Sequence, residues 1–129
     1  MDLARVFLIS AASGVAIEIA AAVLGLWRYR HPVLPVLNVL IMFGLVHGVV
    51  LAGLVGAQRP LSAMAPVLFM LGALVGLGYE AANHFSLKSW TFGERPLLGV
   101  SRDLDKAVLV GVAWGATPVM VKLVSEMIP

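Results

Sequence analysis

The stretch GLGYEAANHFSLKSWTFGERP, residues 76–96, leaves a glycine-rich apolar run, passes a carboxylate, an amide and an imidazole, and ends in an aromatic, charged loop. It reads as the polar end of a helix whose remainder lies in a much less polar medium. Composition says what that medium is. Of the 129 residues, 60% are hydrophobic and 12% charged, and the mean hydropathy is +0.98. Soluble domains carry about 25% charged residues. A water-soluble fold of this size could not hide so much apolar surface, so the solvent is lipid.

A bilayer core of about 30 Å needs roughly 20 apolar residues as helix. Working outward from residue 85, four segments qualify, at about 6–27, 37–57, 65–85 and 107–128. The predicted fold class is all-α: one polytopic membrane bundle of four transmembrane helices over residues 1–129. The first run contains Glu18 and ends in Trp27-Arg28-Tyr29-Arg30 without a small-residue cleavage pattern, so it reads as a retained helix rather than a signal peptide. Prolines mark the joints: Pro32 and Pro35, Pro60 and Pro66, and Pro96. Pro66 suits a first helical turn. Pro118 lies inside the fourth span and should kink it.

Lysine and arginine set the expected orientation. Six of the nine (Arg28, Arg30, Lys88, Arg95, Arg102 and Lys106) fall in the joints after the first and third spans. Arg5, Arg59 and Lys122 fall at the other end. Both long loops are therefore expected in the cytoplasm and both termini on the non-cytoplasmic side, with Trp27, Tyr29, Trp90 and Phe92 as interfacial anchors. The expected localisation is integral to a membrane, of the bacterial inner-membrane kind. The formal charge of +2 is too small to suggest nucleic acid, and with no cysteine there are no disulfides or thiolate metal sites.

Each span carries small residues four apart: Ser10, Gly14 and Ala22; Gly44, Gly48, Ala52 and Gly56; Gly72 and Gly76; Gly111 and Gly115. Such stripes let helices approach closely, inside the bundle or across a homodimer or partner-subunit interface. Glu18, Glu80 and His84 continue these stripes, so they should face protein rather than lipid. Glu18 lies about 14 Å from Trp27 and His47 about 15 Å from Leu37 at 1.5 Å per residue, so the two are expected at matching depth as a proton-exchanging or substrate-contacting pair. The alternative is a protonated Glu18 bonded to its neighbours, with His47 as packing.

Glu80, Asn83 and His84 share a helix face. They read either as part of a substrate site or as a polar cap. Glu80 and His84 could offer two metal ligands, but no second such pair exists, so neither a metal site nor a cofactor is expected. Lys88, Arg95 and Arg102 would attract an anionic headgroup. Lys122 and Glu126 form an intrahelical pair, and Ser101, Asp103 and Asp105 look like the entry to the fourth span. Nucleophile elbows, phosphate loops and HExxH motifs are absent.

Asn83, Lys88, Trp90 and Phe92 have the spacing of a motif in GtrA-like membrane proteins, which this stretch resembles, and Arg5-Val6-Phe7 with Gly14 is loosely similar to that family's first helix. The resemblance implies a small four-helix protein that moves polyprenyl-linked sugars or assists enzymes using them. In that family the motif follows the second helix, whereas here it follows the third. Glu80, Asn83, Trp90 and Phe92 are also similar to a pattern in small membrane proteins of isoprenoid and carotenoid metabolism. Glu18, central in the first of four short helices, looks like its counterpart in small multidrug transporters. Three functions follow as expectations. The first is a transporter or flippase-like protein for an amphiphile, with Glu18 and His47 lining the path. The second is an isoprenoid enzyme with Glu18 or Glu80 as general acid, which requires a closed apolar pocket beside a carboxyl. The third is a non-catalytic assembly subunit.

Overall fold

The structure, a computed structural model, describes residues 2–128. Four of its helices are long and apolar enough to cross a membrane: Leu3–Leu24, Leu34–Gln58, Leu61–Leu87 and Asp103–Met127. The fold is mostly helical, with one addition. Trp27–Tyr29 (β1) and Trp90–Phe92 (β2) pair antiparallel, with Trp27 opposite Phe92 and Tyr29 opposite Trp90. This ribbon ties the end of the first span to the end of the third.

Local chemistry sets the helix ends. The Asp2 carboxylate accepts from the Ala4 and Arg5 amides and caps the first span. Gly25, at φ 64°, ends it in the left-handed conformation, and its N–H reaches back to Ala21 and Ala22. The chain is therefore free of the helix before Trp27 and can turn back across the bundle's end. The second span starts at Leu34, with Pro35 in its first turn. From Asn38 to Val55 it is wound with i→i+5 bonds, the wider π form. Its buried positions recur every four or five residues, through Val39, Phe43, His47, Ala52 and Gly56, so one face of the wide helix stays turned to its neighbours.

Two details differ from expectation at the third and fourth spans. The third begins at Leu61, just after Pro60, so Pro66 lies inside the helix rather than in its first turn. The fourth starts at Asp103 after Arg102, and Ser101 does not cap it, although Asp103 and Asp105 do occupy the first turn. Pro118 breaks the fourth span as anticipated. Its missing N–H leaves the Trp114 carbonyl without the usual partner, and that carbonyl accepts from Thr117 instead. The helix therefore runs in two pieces, Asp103–Ala113 and Ala116–Met127, with Trp114 at the bend.

The first and second spans pack together, and the third packs on both halves of the fourth. Two clusters of buried side chains, Val6–Ala52–Val121 and Leu51–Met64–Leu68, fill the end where the termini lie. There the Arg5 guanidinium donates to the Ser125 carbonyl (3.0 Å), and Lys122 pairs with Glu126 (2.6 Å). The small-residue stripes are used inside the chain. A Cβ on Gly14 would run into the Phe43 ring, and one on Gly76 into Trp114 and the Gly111 carbonyl. By contrast Leu8, Val23, Leu74 and many other large apolar side chains are exposed, as the outer face of a membrane helix requires.

Gly76 is the tightest point between the third and fourth spans. Gly76→Ala should destabilise the protein by about 1–3 kcal/mol through overpacking. Thermal unfolding in detergent measures this; an unchanged midpoint would mean these helices do not approach so closely.

Candidate active site in the apolar cavity

Beneath the ribbon, the bundle holds a cavity of about 270 Å³ with walls that are almost wholly apolar. A 150 Å³ apolar cavity accepts benzene and drug-sized pockets begin near 300 Å³, so the volume suits a small hydrophobic molecule or part of a longer one. All three tryptophans of the chain, Trp27, Trp90 and Trp114, line it. The half-buried Glu18 and the buried Glu80 line it as well.

Glu18 comes from the first span, six residues before its end. Its Oε1 accepts from the Tyr29 hydroxyl (2.5 Å) and the Asn38 amide (2.6 Å), and its Oε2 from the Trp27 indole (3.2 Å). Every one of these contacts uses Glu18 as an acceptor, the role an ionised carboxylate fills. Hydrogen bonds to a charged group are worth about 1.5–3 kcal/mol each. Three of them offset much of the roughly 2.5–3.5 kcal/mol cost of placing a polar group of this kind within a membrane helix. The Asn38 carbonyl accepts from the Tyr79 hydroxyl (2.9 Å), which extends the network to the third span.

Glu80 is only 4% exposed. Its Oε1 faces the Trp114 indole at 3.5 Å, the outer limit of a hydrogen bond, and its Oε2 is buried with no partner among the described residues. Burying a carboxyl with so little solvation from its neighbours is costly. The two carboxyls thus share one cavity in opposite settings, one saturated with donors and the other nearly bare.

The anticipated meeting of Glu18 and His47 does not occur. The first helix ends at Leu24 rather than Trp27 and the second starts at Leu34 rather than Leu37, so Glu18 is six residues deep and His47 thirteen. His47 is wholly buried, with Nδ1 2.8 Å from the Met42 carbonyl and its ring stacked 4.6 Å from Trp114. It lies outside the cavity wall and backs the indole that faces Glu80.

The Glu80, Asn83 and His84 group also divides. Only Glu80 lines the cavity. Asn83 clamps the turn into β2: its Oδ1 accepts from the Ser89 (2.7 Å) and Trp90 (3.2 Å) amides, and its Nδ2 donates to the Trp90 carbonyl (3.1 Å). His84 packs edge-on against Phe85, and its carbonyl accepts from the Lys88 ammonium. Lys88 itself takes a left-handed conformation (φ 51°) that ends the helix. Arg95 is exposed, and Arg102 makes an exposed pair with Asp105 (3.3 Å). The aromatic residues expected as interfacial anchors instead turn inward: Trp90 is buried, and Tyr29, Tyr79 and Trp90 form a tilted cluster with centroids 4.9–5.9 Å apart. Among the described residues no group of three or more His, Cys, Asp or Glu side chains is placed to hold a metal ion.

Asn38, Tyr79 and Trp114 belong to the site and were not singled out by the sequence. Asn38 had a signal, as a lone amide in the apolar second span. Tyr79 stands beside Glu80, and Trp114 sits between Gly111 and Gly115, four residues before Pro118. No protein-family model matches the chain, and no curated protein or solved structure matches it either.

Asn83→Ala would strand two amides and a carbonyl at the turn. It should cost about 1–3 kcal/mol of stability, read from the unfolding midpoint; an unchanged midpoint would free Asn83 for a ligand role. A second expectation concerns alkali. Burial, reinforced by the bond to Glu18 and by its charge, pushes the Tyr29 phenol well above its ordinary value. Above about pH 10 the folded chain therefore holds a proton that the unfolded chain releases, so stability is complete below that pH and declines as pH rises. Tyr29→Phe should reduce this alkaline decline in unfolding midpoints; an identical decline would assign it to other groups.

Proposed function

We propose that this is a membrane-embedded site that binds a small unsaturated hydrophobic molecule of the isoprenoid class and protonates it. The carrying observation is the pairing of an apolar, aromatic-lined cavity with Glu80, a buried carboxyl whose second oxygen has no hydrogen-bond partner among the described residues. Glu80 is the proton donor to a carbon–carbon double bond. The faces of Trp90, Trp114 and Tyr79 stabilise the resulting cation, as aromatic quadrupoles attract positive charge. Glu18, across the cavity and acting only as acceptor, supplies the counter-charge and takes a proton from a neighbouring carbon. One proton enters the ligand and one leaves it, so the net change is an isomerisation or cyclisation that needs no cofactor; before the next turnover Glu18 gives its proton to water and Glu80 takes one from water. The bilayer delivers the ligand, and the lysine and arginine distribution supports the orientation with both long loops in the cytoplasm of a bacterial inner membrane.

A second reading has its own support. Leu97 and Leu98 line the cavity from the loop that carries Arg95 and Arg102. An amphiphile, such as a polyprenyl-linked one, would place its tail in the cavity and an anionic headgroup near Lys88, Arg95 and Arg102. Transport or flipping of such a lipid agrees with the GtrA-like spacing of Asn83, Lys88, Trp90 and Phe92. It further requires passage to the other end, where the two packed clusters now close the bundle. An assembly role, with a homodimer or a partner subunit, would use the outer faces, since the small-residue stripes are spent within the chain.

The test is deuterium exchange. Wild-type protein in nanodiscs, given β-ionone and linear isoprenoid alkenes in heavy water, should place deuterium on ligand carbon, read by mass spectrometry. Glu80→Gln should reduce this by about 100-fold or more, the usual weight of a general acid, while ligand binding persists. Binding without exchange in the wild type would remove the enzyme reading and leave transport.

A further inference from the structure

One part of the cavity wall is held in a conformation the chain would not choose for itself. Residues 97–100 form a tight two-residue turn, with Leu97 and Val100 exchanging both backbone bonds (2.8 and 2.9 Å). The central residues, Leu98 and Gly99, have φ of 49° and 82°. A turn with positive φ at both central positions favours Asn-Gly or Gly-Gly. Gly99 fits. Leu98 does not: leucine in the left-handed region carries a steric cost that asparagine largely avoids. Leu98 is also 87% exposed, so its side chain recovers almost nothing from packing within the protein. Strain of this kind persists where surroundings impose it and marks positions with a further use.

The position of the turn points to that use. Leu98 lines the same cavity as Glu18 and Glu80. The loop is anchored at its start, where Gly93 donates to the Leu26 carbonyl (2.8 Å) and the buried Lys106 ammonium donates to the Gly93 carbonyl (2.8 Å). With the base fixed, the turn can present one apolar side chain at the cavity's edge without moving the ribbon. We propose that Leu98 is the contact residue that covers the bound ligand at the cavity mouth, so that its leucine surface is buried by the hydrophobic ligand and not by the protein. This rests on the reading of the cavity as a hydrophobic ligand site. It adds the residue that closes that site and thereby limits ligand length.

The three cavity tryptophans give the readout. β-Ionone titrated into nanodisc-embedded wild-type protein should quench tryptophan emission saturably, in competition with farnesol. Leu98→Asn suits the turn better and should leave the unfolding midpoint equal or higher. It should weaken β-ionone by about tenfold, the equivalent of losing most of one leucine's burial. Leu98→Met, which keeps an apolar side chain, should bind within about twofold of wild type, as swaps of similar apolar volume allow. A raised midpoint with unchanged affinity in Leu98→Asn would overturn the inference and leave the site standing. A lowered midpoint with unchanged affinity would also overturn it, by giving Leu98 a purely structural or lipid-contacting part. Wild-type protein that shows no saturable quenching would overturn both the inference and the ligand site beneath it.

Discussion

The bundle's ribbon end depends on keeping one carboxylate satisfied within an apolar helix. Glu18 recruits three donors from two places: Trp27 and Tyr29 on β1, and Asn38 at the start of the second span. Asn38 passes the connection on to Tyr79 in the third. No chain neighbour could satisfy Glu18, because a helix commits its own amides to its own carbonyls. The carboxylate therefore pulls the strand back over the helix it has just left. Once β1 lies there, β2 can pair with it, and the cavity acquires its roof.

The second determinant is proline chemistry in the fourth span. Pro118 removes one N–H, the helix breaks at Trp114, and the indole is left at the bend facing Glu80. His47 stacks behind it and fixes its plane. Gly76, on the opposite helix, leaves the room that Trp114 occupies. Local backbone chemistry thus places an indole donor within reach of the Glu80 carboxyl.

The parts of the fold that follow from length and hydropathy were legible. Four spans, the break at Pro118, the Lys122–Glu126 pair and the inward-facing small residues all come from rules that operate within one helix or one helix face. What was not legible depends on a few residues at helix ends. Three residues at each end of the first connection separate a Glu18 level with His47 from a Glu18 bonded to Tyr29. Gly25 carries the signal for the earlier stop, since a glycine after an apolar run is a common C-terminal cap. The ribbon itself left little trace, because Trp-Arg-Tyr and Trp-Thr-Phe at membrane boundaries read equally well as aromatic belts. Asn83 illustrates the same ambiguity: its spacing to Trp90 was visible, but the backbone it holds was not.

The contrast between Glu18 and Glu80 then carries the functional argument further than either residue alone. Two carboxyls in one cavity with identical surroundings would compete for a proton and share it. Here the surroundings differ. Three donors make Glu18 an acceptor, whereas Glu80 has only indoles beside it, that of Trp114 at 3.5 Å, and an oxygen with no hydrogen-bond partner among the described residues. Where environments separate two like groups in this manner, acid and base roles follow from the setting and not from the residue type. The chain lines the cavity beside Glu80 with Tyr79, Trp90 and Trp114, side chains whose faces attract positive charge, which is what the proposed protonation would require.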